Sequence, residues 1–316
     1  MMSSSSKSSL LALLALLLTF STTDAHVELG FYNETCPNAE AIVLEEMKMI
    51  LSADPTLAPS LLRMHFQDCF VRGCDGSILL NSSANNLAEK DAPPNKSLRG
   101  FDAIDRIKAK LEETCPGIVS CTDILTIAAR DAVFLTDGPF YDVPTGRRDG
   151  NMSEAADLPG NLPPPTATID ELKASFLQRN LTVKDLVVLS GTYLRLYNFS
   201  GKGDADPSLD KGYAEKLKRK CMHYDMETTL VKMDLKSPMK FDLGYYKLVS
   251  MGRGLFTSDE ALLHDPDAKA YVERQAVAAS PEEFFGDFAA SMVRMGKLGA
   301  LTHQKGEIRK KCAFVN

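Results

Sequence analysis

Apolar residues recur at helical spacing along most of this chain. Between Ala41 and Leu51 they lie three or four positions apart, and the same spacing returns from Phe101 to Leu111. Ser120 to Leu135 is predicted to be another helix, with Asp123 three residues after Ser120. The segment from Pro59 to Phe70 has the apolar content of a buried helix. Only Tyr141 to Val143 suggests a strand. The pattern therefore predicts an all-α chain with minimal β structure.

Three further helix starts are marked by capping boxes, in which a hydroxyl residue precedes an acidic residue by three positions. They are Thr168 with Glu171, Thr182 with Asp185, and Ser280 with Glu283. Segments rich in Pro or Gly separate the helical stretches at 92–95, 158–165 and 201–207. A helical chain with a central Pro-rich break indicates two helical halves with a site between them.

The first 25 residues have the features of a secretory signal peptide. Lys7 supplies the positive charge, Leu10 to Phe20 forms the apolar segment, and small residues allow cleavage after Ala25. The apolar segment is shorter than a membrane span requires. We therefore expect residues 1–25 to be removed and residues 26–316 to form one secreted protein without a membrane span.

Composition and charge are those of a soluble globular protein, with 44% hydrophobic and 25% charged residues and a formal net charge of −6. This mild acidity gives no reason to expect a nucleic acid partner. Seven cysteines in a secreted chain leave one thiol over once the others pair. Six glycosylation sequons also fit secretion, and they lie at Asn33, Asn81, Asn95, Asn151, Asn180 and Asn198.

Residues 63–77 carry the most informative motif, Arg-Met-His-Phe-Gln-Asp-Cys-Phe-Val-Arg-Gly-Cys-Asp-Gly-Ser. It resembles the distal haem-pocket motif of the secretory plant peroxidases, the class III haem peroxidases. The similarity runs from about Leu29 to Cys312 and includes the segments 98–101, 119–125, 128–131 and 146–150. The resemblance implies the plant haem-peroxidase fold, in which two helical domains sandwich the haem site.

The resemblance also implies an activity, the oxidation of small phenolic donors by hydrogen peroxide. It would serve hydrogen peroxide removal, the oxidative stress response and cell-wall phenolic chemistry, in the cell wall, apoplast or vacuole. Haem b and calcium would be the cofactors. Arg63 would stabilise charge as the peroxide O–O bond breaks, Phe66 would contact the haem, and Pro163 would line the channel for phenolic donors. Asn95 would orient the acid–base residue, so it is the sequon least expected to carry a glycan.

Gln67 stands where the family has its distal histidine, the acid–base group of the reaction. A glutamine can hydrogen-bond to peroxide but has no titratable nitrogen. The loss of a positioned acid–base group typically costs about 10²- to 10⁴-fold in rate. His65 is no substitute, because it lies about 200° around a helix from Gln67. We expect His65 to be a packed side chain.

Two calcium sites are implied by the resemblance. Calcium prefers several oxygen ligands from carboxylates, hydroxyls and carbonyls. The distal set is Asp68, Val71, Gly73, Asp75 and Ser77, with Glu89 close by. The second set is Asp234, Ser237, the Lys240 carbonyl and Asp242, and it lacks the family's threonine ligand.

The chain departs most from the family after Gly191. Residues 183–191 match the helix that leads to the iron ligand, and the pattern resumes at Arg195. Roughly eleven residues are missing, more than helix-end variation explains. The missing stretch would contain the proximal histidine and one cysteine, so Asp259, the carboxylate that binds that histidine in the family, would lack its partner.

The same deletion accounts for the odd cysteine. Family pairing carried onto this chain joins Cys36 to Cys115, Cys69 to Cys74, and Cys121 to Cys312, and leaves Cys221 alone. We expect a monomer, with a dimer through Cys221 as the alternative.

Three interpretations of function remain at this stage. The first is a secreted haem peroxidase. The second is a non-catalytic, calcium-bound secreted glycoprotein that acts by binding. The third is a defective product of a shifted splice site or a decaying gene.

Overall fold

The computed structural model describes residues 27–164, 166–189, 209–220, 237 and 239–316. The signal peptide, Gly191, Arg195, Asn198, Cys221 and Asp234 lie outside these ranges. The described chain is built from α-helices joined by loops and short 3₁₀ turns. The helices are α1 (Ala39–Ala53), α2 (Leu57–Val71), α3 (Phe101–Thr114), α4 (Cys121–Phe134), α5 (Ile169–Leu177), α6 (Val183–Val188), α7 (Lys211–Lys220), α8 (Gly244–Val249), α9 (Thr257–Ala261), α10 (Pro266–Val277) and α11 (Glu282–Met295).

Helices α1 to α4 form the first packed set, with α4 at its centre. Every residue of α4 from Cys121 to Val133 is buried, as expected of a helix surrounded by others. The Ser120 hydroxyl caps this helix by accepting the Asp123 backbone N–H at 3.1 Å. Helices α1 and α2 pack against α4, and α3 packs against both α1 and α4.

The second packed set consists of α5, α6 and α8 to α11. Here α10 contacts α8 and α6, while α11 also packs on α6. The capping boxes predicted at Thr168 and Thr182 both form, with reciprocal hydrogen bonds to Glu171 and Asp185. A phenylalanine contact joins the two sets, since the rings of Phe70 and Phe176 lie 5.0 Å apart.

Two local predictions are wrong. Tyr141 to Val143 has the in–out burial of a strand, but no neighbouring strand pairs with it, and the described part of the chain contains only isolated bridges. The capping box at Ser280 does not form either. Helix α11 begins at Glu282 without a side-chain cap. The Glu283 carboxylate instead accepts hydrogen bonds from Arg274 and Gln275.

The predicted all-α architecture is confirmed, and it sets the frame for the candidate site. Among the described residues, no helix has the length and apolar character needed to cross a membrane.

Candidate functional site

Helix α2 carries one wall of the candidate haem site. Leu61 and Met64 anchor it in the core, and Gly100 packs closely on Leu61. The Phe66 ring stacks on Phe70 at 4.1 Å between centroids. Because Arg63 and Gln67 are four residues apart, this anchoring presents them on one face.

Arg63 is fixed by the turn that follows Asn95. Its Nη2 donates to the Pro94 carbonyl at 2.7 Å and its Nη1 to the Ser97 hydroxyl at 3.0 Å. The Nε atom is buried without a hydrogen-bond partner among the described residues. Desolvation lowers the pKa of the guanidinium, which stays charged at any physiological pH. Arg63 is therefore held ready to donate to an anion or a polarised oxygen.

Gln67 and Asn95 share an unusual feature, a buried oxygen without a donor. Gln67 is 5% exposed and Asn95 is 1% exposed. The Asn95 amide nitrogen donates to the Glu89 carbonyl at 2.9 Å, which aims its oxygen away from that carbonyl. Neither Asn95 Oδ1 nor Gln67 Oε1 accepts a hydrogen bond from any described group. Each of these two buried oxygens therefore lacks a hydrogen-bond donor among the described residues.

His65 is packed away from this face, as expected. It is fully buried, and its Nδ1 lies 3.6 Å from Cys69 Sγ. Burial, with the nearby Arg147 charge, lowers the pKa of His65 to about 3. The ring is therefore neutral at physiological pH.

The predicted distal calcium residues lie in the last turn of α2, in the loop that follows it, and, for Glu89, in a separate 3₁₀ turn. The Asp68 carboxylate accepts the Gly76 N–H at 3.0 Å, and Asp75 accepts the Ser77 N–H at 3.0 Å. Asp68, Ser77 and Glu89 are fully buried, and Asp75 is 6% exposed. The predicted Cys69–Cys74 disulfide closes this loop. It holds the segment that contains Val71 and Gly73, whose carbonyls are the other expected ligands.

The electrostatics of this loop call for a cation. Burial, together with the charges of Asp75 and Glu89, raises the pKa of Asp68 well above its usual value. Burial also raises the pKa of Glu89 to about 8, against a smaller lowering by the nearby Ser77 hydroxyl. That hydroxyl and both Glu89 carboxylate oxygens nevertheless lack a properly directed hydrogen bond. Buried carboxylates next to unpartnered oxygens are costly unless a cation binds them, so these residues fit calcium.

No group of three or more His, Cys, Asp or Glu side chains is arranged around a metal position in the described ranges. The distal calcium set does not need one, since it relies on two aspartates, a hydroxyl and carbonyls. The second calcium set is less complete, because Asp234 is outside the described residues. Ser237 and Lys240 share a turn, with the Lys240 N–H donating to the Ser237 carbonyl at 2.9 Å. Asp242 accepts the Gly244 N–H at 2.7 Å at the start of α8.

Asp259 does not lack a partner, which corrects the sequence-based expectation. It is fully buried in α9, and the Tyr245 hydroxyl donates to its Oδ1 at 2.8 Å. The Phe256 N–H donates to its other oxygen at 3.0 Å. Burial and the adjacent carboxylate raise the pKa of Tyr245 well above its usual value. The Asp259 carboxylate, which binds a histidine in the family pattern, therefore accepts a hydrogen bond from the neutral Tyr245 phenol in this chain.

The described histidines are His65, His264 and His303, and none is hydrogen-bonded to Asp259. His65 packs on a disulfide, and the His264 side chain is 64% exposed next to Glu260. His303 is exposed with a left-handed backbone. The distal wall thus has the polar groups of a haem pocket, whereas the described proximal wall offers no histidine for the iron.

Arg179 was not identified from the sequence, but it connects α2 to the segment that leads to Pro163, the residue expected to line the channel for phenolic donors. Its Nη2 donates to the carbonyls of Phe70 and Asn161 at 2.7 Å each. Its guanidinium also lies over the Phe70 ring, 4.8 Å from the centroid. The segment leading to half-buried Pro163 is thereby tied to α2.

Two surface pockets of about 400 Å³ each lie away from the Arg63 face, one beside α6 and α10 and one beside the Cys69–Cys74 loop. All three predicted disulfides form, the others being Cys36–Cys115 and Cys121–Cys312.

Comparison with known proteins decides the family. The family model described as "Peroxidase" matches residues 43–278. The chain belongs to the peroxidase family. Its curated relatives include "Peroxidase 1" of Oryza sativa subsp. japonica, 50% identical over 97% of this chain and 98% of the relative. "Peroxidase 39" of Arabidopsis thaliana is also 50% identical, over 95% of each chain.

By family the protein is therefore a haem peroxidase of the plant type, an oxidoreductase whose family generally binds haem and calcium. The alignment with the rice relative spans 321 positions, whereas this chain has 316 residues. The relative thus has residues without a counterpart here.

Proposed function

We propose that this protein is a secretory peroxidase with impaired peroxide activation. Its oxidant is hydrogen peroxide and its donors are small phenols in the cell wall, apoplast or vacuole. The observation that carries this proposal is the distal wall. It keeps Arg63 in a fixed hydrogen-bonded position but has Gln67 at the family's histidine position, and the buried Asn95 Oδ1 accepts no hydrogen bond from a described group.

Each distal residue has a defined capacity in this proposal. Haem, when bound, supplies the iron that passes electrons from donor to peroxide. The Arg63 guanidinium donates to the oxygen on which negative charge develops. The Gln67 amide binds peroxide by hydrogen bonds but moves no proton between its oxygens. Proton transfer is therefore left to solvent, and a rate about 10²- to 10⁴-fold below that of a histidine-bearing relative is expected.

The proximal side limits the protein further. Among the described residues, Asp259 is hydrogen-bonded to Tyr245 and not to His65, His264 or His303. We propose that the stretch missing after Gly191 includes the iron ligand. Haem is then held without the strong axial bond that a histidine provides.

Secretion, glycosylation and calcium complete the proposal. The signal peptide at residues 1–25, the sequons and the disulfides support a secreted glycoprotein. Asn33, Asn81, Asn151 and Asn180 are exposed, whereas Asn95 is 1% exposed and should carry no glycan. Calcium binds Asp68, Val71, Gly73, Asp75 and Ser77, with Glu89 nearby. The protein is a monomer, or a dimer if Cys221 forms an intermolecular disulfide.

A second candidate function is favoured by the Tyr245–Asp259 hydrogen bond. A proximal carboxylate with its own partner lets the chain fold without haem, as a calcium-bound glycoprotein that acts by binding. A defective splice product would instead be unstable and poorly secreted.

Peroxide-dependent guaiacol oxidation separates these functions. The test compares the haem-loaded wild-type protein with Gln67→His, both with and without imidazole as a replacement iron ligand. A faster Gln67→His variant in the presence of imidazole would support the impaired peroxidase. Equal inactivity of both proteins under both conditions would favour the haem-free function.

A further inference from the structure

The distal calcium loop, residues 68–77, is docked on the C-terminal segment, residues 296–312. The Cys74 N–H donates to the Leu298 carbonyl at 2.7 Å. Gly73, with φ +95°, approaches so closely that a Cβ there would come 2.6 Å from Gly299 Cα. Two segments far apart in sequence therefore share one tightly packed contact, which no larger residue at position 73 could preserve.

Arg309 is the centre of this contact. It is fully buried, and its Nη1 donates to the Gly76 and Cys312 carbonyls, both at 2.9 Å. Its Nε and Nη2 donate to the Gly150 carbonyl at 3.2 and 2.6 Å. The Gly150 N–H in turn donates to the Asp75 carbonyl at 2.7 Å. One guanidinium thus fixes the peptide between Asp75 and Ser77, and also the residue that holds Asp75.

The same arginine is tied to a disulfide. Its backbone N–H donates to Asp149 Oδ2 at 2.9 Å, and that carboxylate also accepts the Cys121 N–H at 3.1 Å. Cys121 and Cys312 are bonded to each other. The calcium loop, Arg309 and the Cys121–Cys312 disulfide therefore form one connected hydrogen-bonded unit.

We propose that Arg309 is a positioning residue for the distal calcium site, and that calcium binding is coupled through it to docking of the C-terminal segment and to the Cys121–Cys312 disulfide. This inference rests on the calcium site proposed above. Arg309 touches no expected ligand atom and acts through the Gly76 peptide and Gly150.

Two effects of Arg309 on calcium oppose each other. Its positive charge repels a cation, so its removal would tighten binding if charge dominated. Its hydrogen bonds to Gly76 and Gly150 hold the Asp75 and Ser77 ligands in place, so its removal would weaken binding if positioning dominated. Loss of residues that orient metal ligands typically costs about 10- to 100-fold in affinity. The three directed hydrogen bonds to Gly76 and Gly150 make positioning the larger effect.

The test measures calcium affinity of the full secreted protein by competition with a fluorescent chelator. Arg309→Gln should bind calcium about 10- to 100-fold more weakly than wild type. Arg309→Lys keeps the positive charge but loses the planar guanidinium with its several donors. Its calcium affinity should lie between those of wild type and Arg309→Gln. Arg148→Gln is the matched control, because Arg148 Nε donates to the Gly306 carbonyl of the same segment at 3.1 Å without touching the calcium loop. Its affinity should equal that of wild type.

Unchanged or tighter calcium binding by Arg309→Gln would overturn the proposal. If wild type itself binds no calcium, the calcium site fails as well, and the two failures are thereby distinguished. A further measurement uses only the wild-type protein, so it does not depend on whether a variant folds. Because binding couplings are reciprocal at equilibrium, calcium should raise the dithiothreitol concentration needed to reduce Cys121–Cys312 at equilibrium in the wild-type protein, relative to a chelator-treated sample. Cys36–Cys115 is the internal control, and equal calcium protection of both disulfides would contradict the coupling.

Discussion

Replacement of Tyr245 by phenylalanine tests whether the hydrogen bond from the Tyr245 hydroxyl stabilises the buried Asp259 carboxylate. The change removes one hydroxyl and leaves the ring. It also leaves a fully buried carboxylate with one of its two described donors, the Phe256 N–H at 3.0 Å. A hydrogen bond to a charged group contributes about 1.5–3 kcal/mol. With an unfolding entropy of about 2.1 cal/mol/K per residue, about 2 kcal/mol corresponds to a fall of roughly 3 °C in Tm for the mature chain.

The assay is thermal unfolding of the haem-free protein in calcium-containing buffer, followed by far-UV circular dichroism. Tyr246→Phe is the matched control, because Tyr246 is the adjacent buried tyrosine and its hydroxyl forms no hydrogen bond with a described residue. Its Tm should change by less than that of Tyr245→Phe. Equal Tm changes in the two variants would refute the idea that Tyr245 stabilises Asp259.

The pH dependence gives the same prediction a second readout. Because the folded-state pKa of Tyr245 is raised above 10.0, its stabilising effect is present below that pH and is lost as pH rises further. The wild-type protein should therefore lose its Tm advantage over Tyr245→Phe in strongly alkaline buffer.

Four further predictions follow from individual residues. With imidazole and haem supplied, Gln67→His should raise the rate of peroxide consumption by about 10²- to 10⁴-fold, because the new ring supplies the titratable nitrogen that glutamine lacks; no gain would contradict this role of position 67. Because the Glu89 pKa is about 8 without a metal, against 4.5 for an ordinary glutamate, metal-free protein should lose stability as pH rises through that interval. The gain in Tm from calcium over EGTA should then be larger at pH 8 than at pH 5, and a pH-independent gain would count against the site. Because the His65 pKa is lowered to about 3 from 6.5, each pH unit below 6.5 should cost about 1.4 kcal/mol of folding free energy; His65→Met should reduce that acid sensitivity in a Tm series. Thiol titration of denatured monomer should find one free thiol, that of Cys221, and finding none in a monomer would contradict the unpaired cysteine.

The helices were predictable because their burial repeats every three to four residues. Helix α2 and the caps at Thr168 and Thr182 depend on local spacing alone, and the structure confirms them. The strand expected at Tyr141 to Val143 failed because a strand requires a distant partner, which local alternation does not reveal. The Ser280 cap failed because Glu283 is drawn to Arg274 on a neighbouring helix.

The candidate site was predictable where its residues are contiguous. Five of the distal calcium residues lie within the ten positions 68–77, around the predicted Cys69–Cys74 disulfide, so motif spacing nearly defines their geometry. Tyr245 and Arg309 were not predictable in the same way. Each contacts its target only after helices and the C-terminal segment have packed, 14 residues away for Tyr245 and Asp259 and 233 residues away for Arg309 and Gly76.

An absorption spectrum of the haem-supplied protein across the Soret region, with and without imidazole, tests the central claim most directly. The central claim is that the chain keeps the distal wall of a peroxidase but lacks the proximal histidine that binds the iron. The haem band should therefore be weak or absent and should strengthen when imidazole is added. A full ferric peroxidase spectrum that imidazole leaves unchanged would show that another side chain of this protein ligates the iron, and would contradict the account.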